Sequence, residues 1–327
     1  PLDTTGGGSD GEWIFESYDL GSITSNNVHI KWNYLGDGSW SAWSFYLDDV
    51  IMPPVYVAPV EILPVLISEI VVTPTEGEFI EIYNPNDAPV DLSDYYLTDA
   101  TFASGGAYYY NITTGADYGG GGFGDFHARF PDGAMIGEGD FQTIALNGSA
   151  NFSAEYGVDP TYELYEDGES ADAIPDMREA VSGSIADQGG LTNGDEVVVL
   201  YYWDGTSDLV QDSDYLLYSD SGVPNEAVDK TGVTIGAETY LDDTPIAEQD
   251  FAPSHDFGFS VNRIDMTEGT EVLTGGNGIT GHNETSENTS VTFAVGAPSP
   301  GMDFRPADFN EPNDNLTDAT AINPGDS

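Results

Sequence analysis

The stretch WDGTSDLVQDSDY is rich in aspartate, a residue type that binds hard cations. Its four carboxylates belong to Asp204, Asp208, Asp212 and Asp214, and the glycine after the first of them favours a tight turn. Calcium takes roughly six to eight oxygen ligands from such side chains and from backbone carbonyls. The stretch therefore predicts a calcium site, although its spacing is not that of an EF-hand loop. The alternative is that these aspartates are solvated or cap turns.

A second acidic pair, Asp48 and Asp49, ends the aromatic stretch SAWSFYLDDVIM. In an alternating strand, Asp49 shares a face with Trp43, Phe45 and Ile51. A carboxylate on an apolar face needs a hydrogen-bonding partner or a metal. The pair is therefore a second candidate calcium site.

Patterns typical of catalysis are absent from the sequence. The histidines are far apart, and none lies in a zinc-ligand or triad-like pattern: His29, His127, His255 and His282. We expect three of them to be exposed. The Gly119–Gly122 run lacks the lysine and the strand–helix context of a phosphate-binding loop. We therefore expect a protein that is not an enzyme.

Asparagines in Asn-x-Ser/Thr triplets are possible glycan acceptors. There are six of them: Asn111, Asn147, Asn151, Asn283, Asn288 and Asn315. We expect Asn111, Asn147, Asn283 and Asn288 to lie in turns or loops, although a chain rich in Thr and Asn also produces such triplets by chance. The aromatic run Tyr108–Tyr110 is either an exposed platform that stacks on sugars or an anchor for its loop.

Charge is the most extreme property of this chain. Its 327 residues include 58 acidic and 6 basic side chains, which gives a formal net charge of −52. This balance argues against nucleic acids and anionic membranes as partners, because both require Lys and Arg. A salty environment or bound calcium would explain it. The sequence has no cysteine and no apolar run of about 18 residues, so we expect neither disulfides nor membrane insertion.

Strand patterns dominate the middle of the chain. In Glu78–Asn84, Phe79, Glu81 and Tyr83 alternate with two isoleucines, which predicts a strand with one buried face. After an Asn-Pro-Asn-Asp turn, a neighbouring strand should run from Val90 to Leu97. The apolar run 196–203 predicts a central strand. The remaining expectations are a helix over 171–182 and polar surface loops over 105–124 and 267–290.

These residues also carry a family resemblance. The run from Ile-Ser-Glu through EFIEIYNPNDAPVDLSDYYLTD to Pro300-Gly301 resembles the lamin-tail domain, an immunoglobulin-like β-sandwich of nuclear lamins and of many secreted bacterial and archaeal proteins. Later stretches such as NGDEVVVLYYWDG and FSVNRIDM fit the secreted form in order. The resemblance spans about 65–302 and implies a noncatalytic module.

Two weaker resemblances flank this region. Residues 10–52 resemble the end of a jelly-roll module, in which an acidic pair often lies near calcium, and residues 309–327 resemble the start of a bacterial pre-peptidase C-terminal domain. The predicted fold is therefore all-β: an immunoglobulin-like sandwich with long loop insertions, preceded by strands of a partial jelly roll. The expected divisions are 1–52, a Pro-rich linker 53–64, the sandwich 65–302, and a tail or further module 303–327.

The expected function follows from fold and charge together. We expect a noncatalytic structural protein of the cell surface or extracellular space, such as a subunit of a filament or surface layer. Copies of the chain, or other surface proteins, would associate through β-strand contacts, and calcium, glycans or both would stabilise them. The alternatives are the attachment or substrate-binding region of a secreted nuclease or protease, and a carbohydrate-binding adhesin.

Overall fold

Two β-sheets pack face to face in the computed structural model, which describes residues 63–101, 105–166, 172–266 and 276–303. The predictions for the partial jelly roll, most of the linker, the C-terminal module, Asp48, Asp49 and Asn315 lie outside these residues. The first sheet has six strands. Their order across the sheet is β16 (Phe293–Gly296), β15 (Ser260–Arg263), β1 (Leu66–Val71), β2 (Phe79–Tyr83), β7 (Phe141–Ala145) and β8 (Tyr162–Glu163).

The second sheet also has six strands, in the order β14 (Ala252–Pro253), β11 (Gln211–Ser219), β10 (Asp195–Tyr202), β4 (Tyr95–Thr98), β5 (His127–Arg129) and β9 (Arg178–Glu179). Two short ribbons pair β3 (Val90–Asp91) with β6 (Met135–Ile136) and β12 (Thr234–Ile235) with β13 (Glu238–Thr239). The helices are α1 (Ser149–Tyr156) and α2 (Thr289–Thr292), with 3-10 turns at Thr75–Gly77, Tyr109–Thr114, Ile246–Glu248 and Glu284–Ser286. The prediction of an all-β sandwich with long insertions is confirmed.

Apolar side chains from both sheets fill the space between them. Ile80 and Ile82 of β2 face Val198 and Leu200 of β10, and all four are fully buried. Because side chains alternate along a strand, the residues between them point to the outer faces. The prediction that the run 196–203 forms a central strand is confirmed, since β10 lies between β11 and β4.

The outer face of the second sheet is covered rather than exposed. There, a second buried cluster, here called the tyrosine layer, consists of strand and loop residues that include Tyr96, Tyr109, Tyr110, Tyr201, Tyr215 and Tyr240. The rings of Tyr96 and Tyr201 stack with centroids 4.9 Å apart. The loop 105–124 contributes Tyr109 and Tyr110 to this layer, so of the two interpretations of the aromatic run the loop anchor is correct and the exposed platform is not. Most other residues of the loop are exposed or half-buried, as expected of a surface loop. Its aromatic residues anchor the loop by burying apolar area.

The outer face of the first sheet is covered as well. The ring centroid of Phe79 lies 5.4 Å from that of Phe152 and 5.3 Å from that of Tyr156, both on α1. The expectation that only one face of β2 is buried is therefore wrong. Helix α1 ends at Gly157, whose φ of 73° is a left-handed backbone angle that favours glycine.

The helix predicted over 171–182 does not form within its described residues. Instead, the Met177 amide donates to the Glu163 carbonyl at 2.7 Å and the Glu163 amide donates to the Pro175 carbonyl at 3.1 Å. The segment then continues into β9. Pro175 lacks an amide hydrogen and disfavours helix for the preceding residue, so an extended path is the better solution.

The strands on either side of the Asn-Pro-Asn-Asp turn lie in different sheets. β2 belongs to the first sheet and β4 to the second, so the prediction that they are neighbours is wrong. The Asn84 side-chain amide donates to the Ala88 carbonyl at 2.9 Å and to the Gly137 carbonyl at 2.8 Å. These bonds fix the turn against the loop after β6 while the chain crosses between sheets.

Arg263 ties the two sheets together. From β15, its Nη2 atom lies 2.6 Å from Asp214 Oδ2 on β11, and its Nη1 atom lies 2.7 Å from Glu287 Oε1. Its Nε atom donates to the Ile67 carbonyl of β1 at 2.9 Å. Arginine suits this position because its planar guanidinium presents several donors in fixed directions. Glu287 follows a turn in the insertion 276–290, which is therefore partly buried and not the surface loop that was expected.

We predict that Arg263→Ala destabilises the fold by about 3–5 kcal/mol, because it leaves buried carboxylates without their cation. Arg178→Ala is the matched control, since it removes the same charge from a pair whose partner Asp132 is exposed, and it should cost less than about 1 kcal/mol. Urea denaturation at one fixed salt concentration measures both. Equal losses for the two variants would contradict the role of Arg263.

Candidate functional site

Two glutamates sit opposite each other on the outer face of the first sheet. Glu69 of β1 pairs in register with Glu81 of β2, and each is 1% exposed. Glu69 Oε1 accepts a hydrogen bond from the Ser299 amide at 3.0 Å. Glu81 accepts one from the Ser68 hydroxyl at 2.8 Å and another from the Gly301 amide. The two carboxyls therefore hold the segment 299–301 against the sheet.

Burial changes the protonation of this pair. Loss of solvation raises the pKa of Glu69 to about 7 and that of Glu81 to about 8, and the charge of Glu69 adds to the effect on Glu81. Near neutral pH, the pair therefore retains protons that exposed glutamates have lost. Backbone amides and serine hydroxyls donate to the carboxyl oxygens of the pair. The pair therefore holds the segment 299–301 on the outer face of the first sheet.

A lysine lies at the centre of the tyrosine layer. The fully buried Lys230 Nζ atom is 2.6 Å from Asp212 Oδ2, 3.1 Å from Asp243 Oδ2 and 3.0 Å from the Tyr109 hydroxyl oxygen. Burial opposes its charge, but Asp212, Tyr109 and Asp243 together hold the pKa of Lys230 well above its ordinary value. The resting form is therefore a buried ion pair.

The four aspartates predicted to share a calcium ion have separate partners. Asp204 Oδ1 accepts the amides of Thr206 and Ser207 at 2.8 and 2.7 Å, so it caps a turn. Those bonds lower the pKa of Asp204 to about 2. Asp208 Oδ2 accepts the amide of Ala237 at 2.7 Å.

The other two aspartates point to opposite faces of β11. Tyr201 is paired with Asp212 and Leu200 with Asp214, which leaves Ser213 as an extra residue. Such a β-bulge reverses the alternation of side chains. Asp212 therefore enters the tyrosine layer, and Asp214 enters the space between the sheets, where its Oδ2 atom accepts the Ile67 amide at 2.6 Å.

A different acidic cluster could hold a metal ion. One carboxylate oxygen from each of Glu163, Glu166 and Asp172 lies within 4.8 Å of the other two. Ser149 orients the cluster, because its amide donates to Glu163 Oε2 at 2.7 Å and its hydroxyl donates to Asp172 Oδ2 at 2.8 Å. Glu163 Oε1 is buried without a hydrogen-bond donor. An all-oxygen donor set fits calcium or another hard cation. Sequence reasoning missed this cluster because its members have no diagnostic spacing.

The family comparison concerns the residues that form most of these strands. Residues 61–215 match the family model described as Lamin Tail Domain. This region is a lamin tail domain. The match ends within β11, whereas the resemblance was expected to extend to about residue 302. The immunoglobulin-like fold predicted for it is confirmed, and the family is one of noncatalytic modules.

Other comparisons add little to the lamin tail domain assignment. The crystal structure of a DUF4876 family protein from Bacteroides thetaiotaomicron VPI-5482 is 16% identical in sequence. The similarity covers 71% of each chain with a TM-score of 0.40. No curated protein matches the sequence. Among the described residues, no helix has the length and apolar character needed to cross a bilayer.

The candidate glycan acceptors differ in how the fold uses their amides. Asn283 is 1% exposed and donates to the Asp242 carbonyl at 3.1 Å, a position that leaves no room for a glycan. The side-chain amides of Asn111, Asn147 and Asn151 lie at half-buried positions and donate to backbone carbonyls. Asn288 is also half-buried. Glycosylation at these four residues stays a prediction.

Two histidines are buried, contrary to the expectation that three are exposed. His127 of the lamin tail domain contacts the Tyr201 hydroxyl, and burial lowers the pKa of His127 to about 4. His255 Nε2 accepts the Val72 amide at 2.9 Å, and burial lowers its pKa as well. Both imidazoles are therefore neutral at pH 7 and help to satisfy buried polar groups.

We predict that the stability of this protein falls as the pH rises from about 5 to about 9. The pKa of Glu81 is higher in the folded chain than in the unfolded one, so its stabilising contribution is complete below its unfolded pKa and is lost as the pH rises through about 8. Glu81→Gln, which keeps the shape of the protonated form, should flatten this slope by up to about 1.4 kcal/mol per pH unit.

Urea denaturation across this pH range measures the slope. Glu138→Gln makes the same chemical change at an exposed position and should leave the slope unaltered. A wild-type stability that rises over the same range, or identical slopes for the two variants, would contradict the protonated state of the Glu69–Glu81 pair.

Proposed function

We propose that this chain is a noncatalytic extracellular structural protein whose copies associate through the open edge of the first sheet. The observation that carries the proposal is β16, the last strand in the order of that sheet. A strand of a second chain can continue a sheet at such an edge by backbone hydrogen bonding.

Within the part of the chain that the structure describes, the register of β16 leaves backbone groups available for a partner. The Ile264 amide donates to the Thr292 carbonyl at 2.8 Å. In an antiparallel ladder, hydrogen-bonded pairs alternate with pairs that are not bonded to each other. The pairs of Phe293 with Arg263 and of Val295 with Val261 are of the second kind, so the backbone groups of Phe293 and Val295 face away from β15.

Exposed apolar side chains surround this edge. Val295 on β16 is 42% exposed, and Phe259, directly before β15, is 46% exposed. Phe257 and Val291 lie close by in the sequence and are exposed as well. Sheet edges that must not pair are usually protected by lysine, proline or bulges. An apolar edge without a basic side chain favours association.

The charge of the chain supports a salty or calcium-rich setting for that association. In the described ranges, every Lys and Arg side chain is in an ion pair with a carboxylate: Arg129, Arg178, Lys230 and Arg263. The surface is therefore strongly anionic, and copies of the chain repel each other in dilute buffer. Salt at about 1 M shortens the range of this repulsion to about 3 Å.

Calcium is the second part of the proposal, with its site at Glu163, Glu166 and Asp172. A bound cation would satisfy the buried Glu163 Oε1 atom and offset the repulsion between three carboxylates. The site lies beside β8, at the other edge of the first sheet from β16. Calcium would thus stabilise the sandwich without occupying the associating edge.

We predict that Val295→Lys abolishes self-association, because it places a charge at the centre of the open edge. Sedimentation velocity at increasing protein concentration in high salt measures the effect. Val158→Lys is the matched control, since Val158 is 49% exposed and lies beyond α1, away from β16. A wild-type chain that stays monomeric at every concentration, or equal effects of the two substitutions, would contradict the proposal.

We also predict that calcium raises the Tm of the wild-type chain by several degrees and that Glu163→Gln removes most of the increase. Thermal unfolding with and without millimolar calcium, at constant ionic strength, measures this. Asp204→Asn is the control, because Asp204 caps an exposed turn, and it should keep the calcium response. Equal responses of wild type and Glu163→Gln would exclude this cluster as the calcium site.

A further inference from the structure

A lysine amine and an aspartate carboxyl group lie at hydrogen-bonding distance inside the tyrosine layer. Lys230 Nζ and Asp212 Oδ2 are 2.6 Å apart, and the two side chains are 0% and 2% exposed. The Nζ atom lies 5.5 Å from the ring centroid of Tyr109 and 5.9 Å from that of Tyr240. These rings separate the pair from bulk water.

Two further groups flank the pair in positions that suit acyl chemistry. The Tyr109 hydroxyl donates to Asp212 Oδ1 at 2.7 Å, on the oxygen that does not contact the amine. Asp243 Oδ2 lies 3.1 Å from Nζ on its other side. Asp243 is held in place, because its Oδ2 accepts the Lys230 amide at 2.8 Å and its Oδ1 accepts the Asn277 side-chain amide at 2.7 Å.

We propose that Lys230 and Asp212 condense in the folded protein to form an intramolecular amide cross-link. The new bond joins Nζ to the Asp212 Cγ atom, and the bond from Cγ to Oδ2 breaks. The ammonium and the carboxylate together become one amide and one water molecule, so that atoms and charge balance without an oxidant or other reactant.

Each flanking residue has a defined role in this step. Asp243 takes a proton from Nζ, which leaves a neutral amine that attacks Cγ. Negative charge then develops on Oδ1, where the Tyr109 hydroxyl donates its hydrogen bond. Asp243 returns the proton to Oδ2, which leaves as water with a second proton from the nitrogen.

The environment favours the amide over the separated groups. The fold holds nucleophile and carboxyl in contact, which replaces an encounter in solution. Condensation also removes two buried charges, whose loss of solvation is costly even in a pair.

The cross-link would fasten the loop containing Lys230 to β11. That loop carries Val228, which packs with Tyr240 in the tyrosine layer over the outer face of the second sheet. A covalent bond between Lys230 and Asp212 closes a loop in the unfolded chain. It thereby lowers the conformational entropy of the unfolded chain and stabilises the fold. The role is independent of whether copies of the chain associate.

Intact-mass spectrometry of the denatured full chain tests the proposal. The expected mass is that of the sequence less one water molecule, and proteolysis should give a branched peptide that joins Asp212 to Lys230. Lys230→Met should show its full sequence mass. Asp212→Asn should still cross-link, with ammonia as the leaving group, and should reach the same final mass as the cross-linked wild type.

Two variants that conserve shape test the flanking roles. Asp243→Asn and Tyr109→Phe should slow cross-linking about a hundredfold or more, measured as the fraction of branched peptide over time after refolding. Cross-linking at the wild-type rate in Asp243→Asn would overturn the proposed proton transfer. A wild-type chain that keeps its full sequence mass after prolonged incubation, or that loses water at another residue, would overturn the cross-link itself.

Discussion

The shortage of positive charge is the constraint on which this structure depends. With 6 basic side chains for 58 acidic ones, most carboxylates have no cation to pair with. The described part of the fold uses two of its cations, Lys230 and Arg263, deep inside, where each holds two carboxylates. Other buried carboxyls rely on backbone amides and on protonation, as Glu69 and Glu81 do. The acidic composition is thus part of the interior as well as of the surface.

This use of charge explains how a sandwich whose two outer faces are also covered holds together. Apolar side chains fill the space between the sheets, and the tyrosine layer covers the second sheet from outside. The bulge at Ser213 lets one strand serve both regions, since it sends Asp212 outward to Lys230 and Asp214 inward to Arg263. Each buried ion pair therefore fixes the position of one layer relative to the next. Hydrophobic contacts also hold the layers together, but they have no preferred direction.

Sequence reasoning identified the strands and the family because alternation and turn residues are local signals. It placed β10 at the centre of a sheet and identified the Ile-Ser-Glu and Pro-Gly segments, which meet at Glu69 and Ser299. It failed where distant residues decide the outcome. Two aspartates of one stretch, Asp212 and Asp214, received different partners because a single bulge reversed their faces, and α1 formed where a short helix is supported by packing against Phe79. The cluster at Glu163 could not be found, because no local spacing marks residues that meet only after folding.

The most direct measurement of this account is a carboxyl 13C NMR titration of the folded protein labelled at glutamate. If buried carboxyls without cations keep their protons, a small set of glutamate resonances, assigned by the Glu69→Gln and Glu81→Gln variants, will titrate near pH 7–8. If every glutamate titrates in the ordinary range, the interior is not short of cations and the account is wrong.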